Sequence, residues 1–489
     1  MRQVAAIGFL IYLAICLGCA TGNGVRVGEF PESPPFSDAG ELPQEICWWT
    51  SFADSELDSF VAKAFADNYT LEAALQRVFA ARAIARREAS DFFVDLNGLA
   101  GVSSTFGPGS DQTIYRHGFD VAYQVDLWGE IESRVKAQEH RAASTCHDYR
   151  AVALTLSGDI TSIWLSLIEA QAQIELLKVQ IDTNRKGLVI QESRFALGLI
   201  RIADVLRQQQ LLESTLEQAV LAESRLALLE HQLAVLLGEP PQLASFDLGS
   251  VLPDLPPLPA TGLPSDLILR RPDIRRDYLA LCAADQDLAA AVSAQYPRLN
   301  LSASLTNIAD DPSNLLRDWF ATVGSQLIGP ILDGGQRRAE VSRASAFKRQ
   351  LFNNYSTTVL IAFQEVEDSL AQERFQIQRI EHLEEQVRLA GEASNQLRDQ
   401  YLIGDAEYLD VLSAITGQQS LQRQLLSAQL ELRLIRVSLY LALAGGFDPE
   451  SCSEQTAQNV YVDEAIEEPN LDNDGSESSE TENVGQKNE

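Results

Sequence analysis

The chain has 489 residues, 45% hydrophobic and 22% charged, a balance that suits two or three ordinary folded domains or one elongated one. Its formal net charge of −31 argues against nucleic acid as a partner. The cysteines and histidines lack metal-ligand spacing, and no nucleophile–base constellation or phosphate loop stands out, so nothing in the pattern points to an enzyme.

The N-terminus has the form of a secretion signal: Arg2, then an apolar run from Val4 to Leu17 that is shorter than the roughly 20 residues a spanning helix needs. Leu17-Gly18-Cys19 is similar to a lipoprotein processing box, which makes Cys19 the candidate lipidation site and residues 1–18 a signal peptide. Residues 19–45 are rich in Gly, Pro and Glu and read as a lipid-anchored tether. No later segment reads as apolar enough for a transmembrane helix.

Trp48-Trp49 opens the folded part, and residues 55–92 carry helical spacing, with Leu71, Leu75, Val78 and Phe79 on one face. The period then changes to two. Phe119, Val121, Tyr123, Val125 and Leu127 alternate with Asp120, Ala122, Gln124 and Asp126. Leu299, Leu301, Ala303 and Leu305 alternate in the same way with Asn300, Ser302, Ser304 and Thr306. Weaker strand candidates around 98–106 and 319–328 complete one hairpin in each half, at about 96–128 and 298–332. Such alternation fits a hairpin packed on helices in water, or strands of an outer-membrane barrel with apolar side chains facing lipid.

Each hairpin precedes a long tract of helix formers. No proline falls between Gly109 and Glu239, roughly 130 residues, or between Ile331 and Asp448, roughly 120. Gly198 and Gly404 interrupt these tracts near their middles, where a glycine supplies the left-handed residue that ends a helix. Each tract is therefore predicted to be a helical hairpin, at about 130–238 and 336–445. The helix from Glu130 to Ala196 should run about 100 Å at 1.5 Å per residue.

The halves repeat one another. Gly198 and Gly404 are 206 positions apart, as are Asp204 and Asp410, Gly129 and Gly335, and Val135 and Val341. This divides the chain into a first repeat at 46–240, a proline-rich crossover at 241–265 and a second repeat at 266–447. Residues 448–489 form an acidic tail whose only base is Lys487, a composition expected to stay disordered. Four lipid-facing strands cannot close a barrel, so a membrane-embedded chain must assemble with itself, most simply as a ring.

Leu269-Arg270-Arg271-Pro272-Asp273-Ile274, Tyr296-Pro297-Arg298-Leu299, Trp48-Trp49 with Phe52, Asp126-Leu127-Trp128-Gly129 and the two Gly…Asp-Val-Leu turns together carry a resemblance. Over about residues 45–447 the chain resembles the outer-membrane factor family of tripartite efflux systems, TolC-like channels, in their lipoprotein branch. The resemblance implies a membrane α+β fold: a transmembrane β-barrel of four strands per chain, closed by trimerisation and continuous with a long periplasmic α-helical barrel. It implies a homotrimer in the cell outer membrane, a periplasmic adaptor, an inner-membrane transporter of the RND or ABC type, and no cofactor beyond the lipid on Cys19. The implied function is a passive exit channel for efflux. A type I protein secretion duct and a periplasmic coiled-coil scaffold are the alternatives.

By the same resemblance Asp204, Tyr401 and Asp410 belong to a constricted periplasmic aperture. An Asp in the first turn of a helix is also favoured by the macrodipole alone. The family's partner arginine falls at Ala406 and a second family aspartate at Ser413, leaving Arg201 and Arg398 as the expected substitutes. Arg271, Pro272 and Asp273 read as a structural helix start rather than an anion site.

Overall fold

The computed structural model describes residues 34–40, 47–108, 112–246 and 248–443. The signal peptide, Cys19, most of the tether and the acidic tail lie outside the described residues.

The helical stretch predicted over 55–92 is two helices, α1 (Ser55–Asp67) and α2 (Tyr69–Ala89). The break is at Asn68, an extended residue whose side chain accepts the Leu71 N–H at 3.0 Å and whose amide donates to the Leu236 carbonyl at 2.9 Å. An Asn that caps one helix while bonding a third does not continue the helix before it. A short 3₁₀ turn, Ser90–Phe92, leads into β1 (Asp95–Thr105) and β2 (Gln112–Val125). Then come α3 (Glu130–Ala196), α4 (Ile202–Leu236), α5 (Pro264–Arg270), α6 (Pro272–Ser293), β3 (Arg298–Ala309), β4 (Trp319–Ile328), α7 (Gln336–Ile403) and α8 (Tyr408–Ala442). The helical turns fall at Gly198 and Gly404, with φ of 70° and 85°.

The four strands form one antiparallel sheet in the order β1-β2-β3-β4. The two sequence hairpins are thus joined through β2 and β3, where Phe119 faces Leu305 and Tyr123 faces Leu301. At Gly118 an added Cβ would sit 2.2 Å from the Leu305 carbonyl oxygen, so only glycine permits this approach.

The apolar core lies in the helical part. Trp48 and Phe52 enter it beside Leu57 and Val61 of α1, Ile160, Trp164 and Leu165 of α3, and Val437 and Tyr440 of α8. Trp48 stacks on Tyr440 with ring centroids 5.4 Å apart and donates to Ser157 Oγ at 3.2 Å. One stretch of α3 is apolar enough in composition to cross a membrane, contrary to the expectation from sequence. Its side chains are mostly buried inside the protein, so the apolar run builds this core.

The crossover is pinned to α8 by two arginines. Arg433 Nε donates to the Pro253 carbonyl at 2.6 Å, and fully buried Arg436 bonds the Pro256 carbonyl while forming a bidentate pair with Glu373. Arg271 behaves as expected: Pro272 begins α6, and the guanidinium meets Asp273, Glu365 and the Ala442 carbonyl.

Candidate channel wall and periplasmic tip

Strand register sorts the sheet into two faces. Leu96, Val102, Phe119, Val121, Leu301, Leu305, Val323 and Leu327 share one face, paired Leu96 with Val121, Phe119 with Leu305, Ala303 with Val323 and Leu299 with Leu327. The other face carries Asn97, Asp120, Gln124, Asn300, Ser304 and Gln326, with Asn97 Nδ2 donating to Asp120 Oδ2 at 3.3 Å. Val323 is 85% exposed and Leu327 66%, so this part of the apolar face has no cover among the described residues. Water would not tolerate this arrangement over four strands, whereas lipid on one side and a wet lumen on the other would.

The inner strands are fastened where they meet the helices. Trp128, after β2, stacks on Tyr296, before β3, at 4.9 Å. Its indole donates to the Pro297 carbonyl at 2.8 Å, and Ser293 Oγ donates to the Trp128 carbonyl at 2.8 Å. Arg298 makes a bidentate pair with Glu130 at the start of α3. Sheet and helices are therefore rigidly coupled through β2 and β3, while β1 and β4 are free edges.

At the far end of the long helices, two tyrosines join the two helical hairpins. Tyr401 of α7 donates to Gln191 Oε1 of α3 at 3.1 Å, and the Arg194 guanidinium lies 4.5 Å from its ring centroid. Tyr408 of α8 donates to Gln208 of α4, and its ring lies 5.3 Å from that of Tyr401. Burial, with Tyr401 and the Asp204 carboxylate nearby, pushes the Tyr408 phenol up to about 12. Asp204 is half-buried and pairs with Arg207 at 3.4 Å. Asp410 is exposed and has no ion pair or side-chain hydrogen bond among the described residues.

Thus Asp204 and Tyr401 come together, through Tyr408, and Asp410 stands apart on the surface. The arginines beside these groups are Arg207, one helical turn from Asp204, and Arg194, on the helix that faces Tyr401. The Arg201 carbonyl accepts the Asp204 N–H at 3.0 Å.

Above the tip, α3 carries a buried line of polar side chains that sequence reading missed. Glu169, Gln173, Gln180, Asn184 and Gln191 are all buried. Gln173 donates to the Arg423 carbonyl at 3.0 Å, and Gln180 exchanges bonds with Gln422 and Arg423 at 3.0 and 2.7 Å. Asn184 bonds Thr215 at 2.9 Å and accepts from Gln419 at 3.1 Å. Gln173, Gln180, Asn184 and Gln191 are spaced by seven, four and seven residues, a core heptad pattern with amides in place of leucines. That spacing was the signal available in the sequence. Among the described residues no group of three or more His, Cys, Asp or Glu could hold a metal ion.

The family model described as Outer membrane efflux protein matches residues 61–239 and 263–445. The chain belongs to this family. Among its relatives, the Pyoverdine export outer membrane protein OpmQ of Pseudomonas aeruginosa is 29% identical over 434 residues, covering 85% of this chain and 90% of the relative. The Solvent efflux pump outer membrane protein SrpC of Pseudomonas putida is 30% identical over 416 residues, covering 81% and 86%. The solved outer-membrane channel OprN superposes with a TM-score of 0.81 at 25% identity, over 88% of this chain and all of that one. The Campylobacter jejuni CmeC channel matches in fold, with a TM-score of 0.81 at 20% identity, over 91% and 98%.

As a member of the outer membrane efflux protein family, the chain is a passive outer-membrane channel of the tripartite efflux type, not an enzyme. Its sheet lies in the outer membrane and its helices extend into the periplasm.

Proposed function

We propose that three copies of this chain close a twelve-stranded barrel and a continuous helical tunnel, which carries substrates from an inner-membrane transporter of the RND type to the exterior. The observation that carries this reading is the sheet itself: four antiparallel strands, an uncovered apolar face and two unpaired edges. Open edges are not stable in hydrocarbon. Because the strand number is even, β4 of one copy can pair antiparallel with β1 of the next. A periplasmic adaptor would embrace the helical end, and a lipid on Cys19 would anchor each chain beside its barrel. In the mature protein the two repeats, 46–240 and 266–447, would each supply one strand hairpin and one helical hairpin, joined by the 241–265 crossover and followed by a solvated tail.

At the tip, Asp204 and Asp410 from three copies would gather six carboxylates around the axis, a ring that attracts cations. Tyr401 and Tyr408 would tie the two hairpins together in the closed state. Detergent-extracted protein should run as a heat-modifiable trimer, and a stable monomer would overturn the ring. In planar bilayers the Asp204→Ala/Asp410→Ala double variant should show a several-fold change in conductance with weaker cation selectivity. Unchanged conductance and selectivity would remove these aspartates from the aperture.

A further inference from the structure

The roots of the edge strands differ from those of the inner strands. The β2 and β3 roots are locked to each other by Trp128, Tyr296, Glu130 and Arg298. The β1 and β4 roots instead set exposed apolar residues beside arginines that form no ion pair among the described residues. Before β1, Arg86 and Arg87 end α2 and exposed Phe92, Phe93 and Val94 follow. After β4, Ile331 and Leu332 are 100% and 94% exposed, and Arg337 and Arg338 lie in the first turn of α7.

None of these four arginines makes an ion pair or donates a side-chain hydrogen bond among the described residues. The nearby carboxylates are largely occupied. Glu88 and Asp91 are both taken by Arg134, and Asp333 accepts the N–H groups of Gly335 and Arg337. Glu340 on α7 is held by Arg343, and Asp95 stands at the start of β1.

Positive charge is concentrated at these roots. Arg82 and Arg86 are four apart on α2, where like charges repel. Burial and Arg86 together hold the Arg82 guanidinium below its ordinary value. The long helices α3, α4 and α8 each carry an acid in the first turn, whereas α7 carries Arg337 and Arg338 there and has a single acid, Asp333, just before it.

β1 and β4 are the two edges of the sheet, so in the trimer proposed above the two roots of neighbouring copies meet at each subunit boundary. We propose that each boundary binds an anionic phospholipid of the periplasmic leaflet. Arg86 and Arg87 of one copy and Arg337 and Arg338 of the next hold its phosphate, and Phe92, Phe93, Ile331 and Leu332 cover the first part of its acyl chains. Basic clusters beside membrane-spanning elements recognise anionic headgroups in this way. The inference rests on the trimer reading, because only closure brings the two roots together.

The test is native mass spectrometry of the full-length protein from neutral detergent, titrated with phosphatidylglycerol or phosphatidylcholine of matched chains. Wild type should retain phosphatidylglycerol selectively. Arg86→Gln/Arg87→Gln/Arg337→Gln/Arg338→Gln should lose affinity by roughly 600-fold, at about fivefold per charge removed. The Arg185→Gln/Lys186→Gln control at the helical tip should not. If the fourfold variant does not fold, Arg86→Gln/Arg87→Gln alone should lower affinity by more than tenfold. Equal retention by wild type and variants, or no preference over phosphatidylcholine, overturns the site. Loss of the trimer in the variants without any phosphatidylglycerol dependence in wild type also overturns it, and assigns the arginines to carboxylates of the neighbouring subunit. A monomeric wild type refutes the trimer reading separately, since lipid retention is counted per chain and the two-arginine variant still decides whether the α2 root binds phosphatidylglycerol.

Discussion

Between Ala153 and Ile168, α3 packs with Leu156, Ile160, Trp164 and Leu165 against α1 and α8. Between Gln173 and Gln191 the same helix packs with Gln173, Gln180, Asn184 and Gln191, each bonded across to α4, α7 or α8. Ile174, Leu177 and Ile181 are buried between these amides, so the lower stretch is a mixed seam rather than a wet cleft. The two stretches hold the same helix by different physics. Apolar packing is lost in proportion to the area re-exposed, and water cannot replace it. A neutral hydrogen bond contributes only about 1 kcal/mol net, because water can take either partner's place once the seam opens. The middle of the helix is therefore the fixed part, and the stretch nearest the tip is the one that can part at low cost.

The largest effect should come from breaking the apolar stretch. Trp164→Ala removes a fully buried side chain that meets Phe52 edge-on at 6.1 Å, and should cost about 3–5 kcal/mol in denaturant unfolding of the solubilised protein. The amide seam should respond differently to one change and to two. Asn184→Leu leaves Gln419 and Thr215 without their bonds and should cost about 1–3 kcal/mol. Asn184→Leu with Gln419→Leu removes both partners of one bond and should recover part of that loss while making the tip harder to open in bilayer recordings. A double variant as unstable as the single one, or as easily opened as wild type, would dissolve the distinction between the two stretches.

The smallest effect is a pH dependence outside the seam. His147 of α3 is held down to about 4 by burial and by Arg150 and Arg275. A histidine kept neutral in the fold and titrating near 6.5 when unfolded makes the protein lose stability as pH falls from about 6.5 towards 4. The group is partly exposed, so screening keeps this contribution modest. His147→Gln should flatten that part of the melting-temperature profile, and an unchanged slope would assign it to other groups.

Much of this arrangement was legible in the residues. Period-two alternation marked β2 and β3, the proline-free tracts marked the long helices, and Gly198 and Gly404 marked their turns. The edge strands were fainter because β1 and β4 contain Gly98, Gly101 and Gly324, which blur an alternation that only register makes plain. At the tip, Asp204, Tyr401 and Asp410 were found as positions, but their partners were not. Arg194 and Gln191 lie on α3, Gln208 on α4 and Tyr408 on α8, and no spacing along one helix reports what faces it on another.

The sequence by itself determined the kinds of element, their lengths and their repetition, because backbone propensity, side-chain period and chain-breaking residues act within a few residues of each other. The tertiary structure decided what those elements touch. It made one sheet of two hairpins, turned a membrane-like apolar run into a protein core, and gave Asp204 to Arg207 rather than to Arg201. Such contacts depend on how helices far apart in the chain are aligned, and that alignment is fixed by packing at a distance, above all by the apolar cluster around Trp48 and Trp164 and by the two arginines, Arg433 and buried Arg436, that hold the crossover.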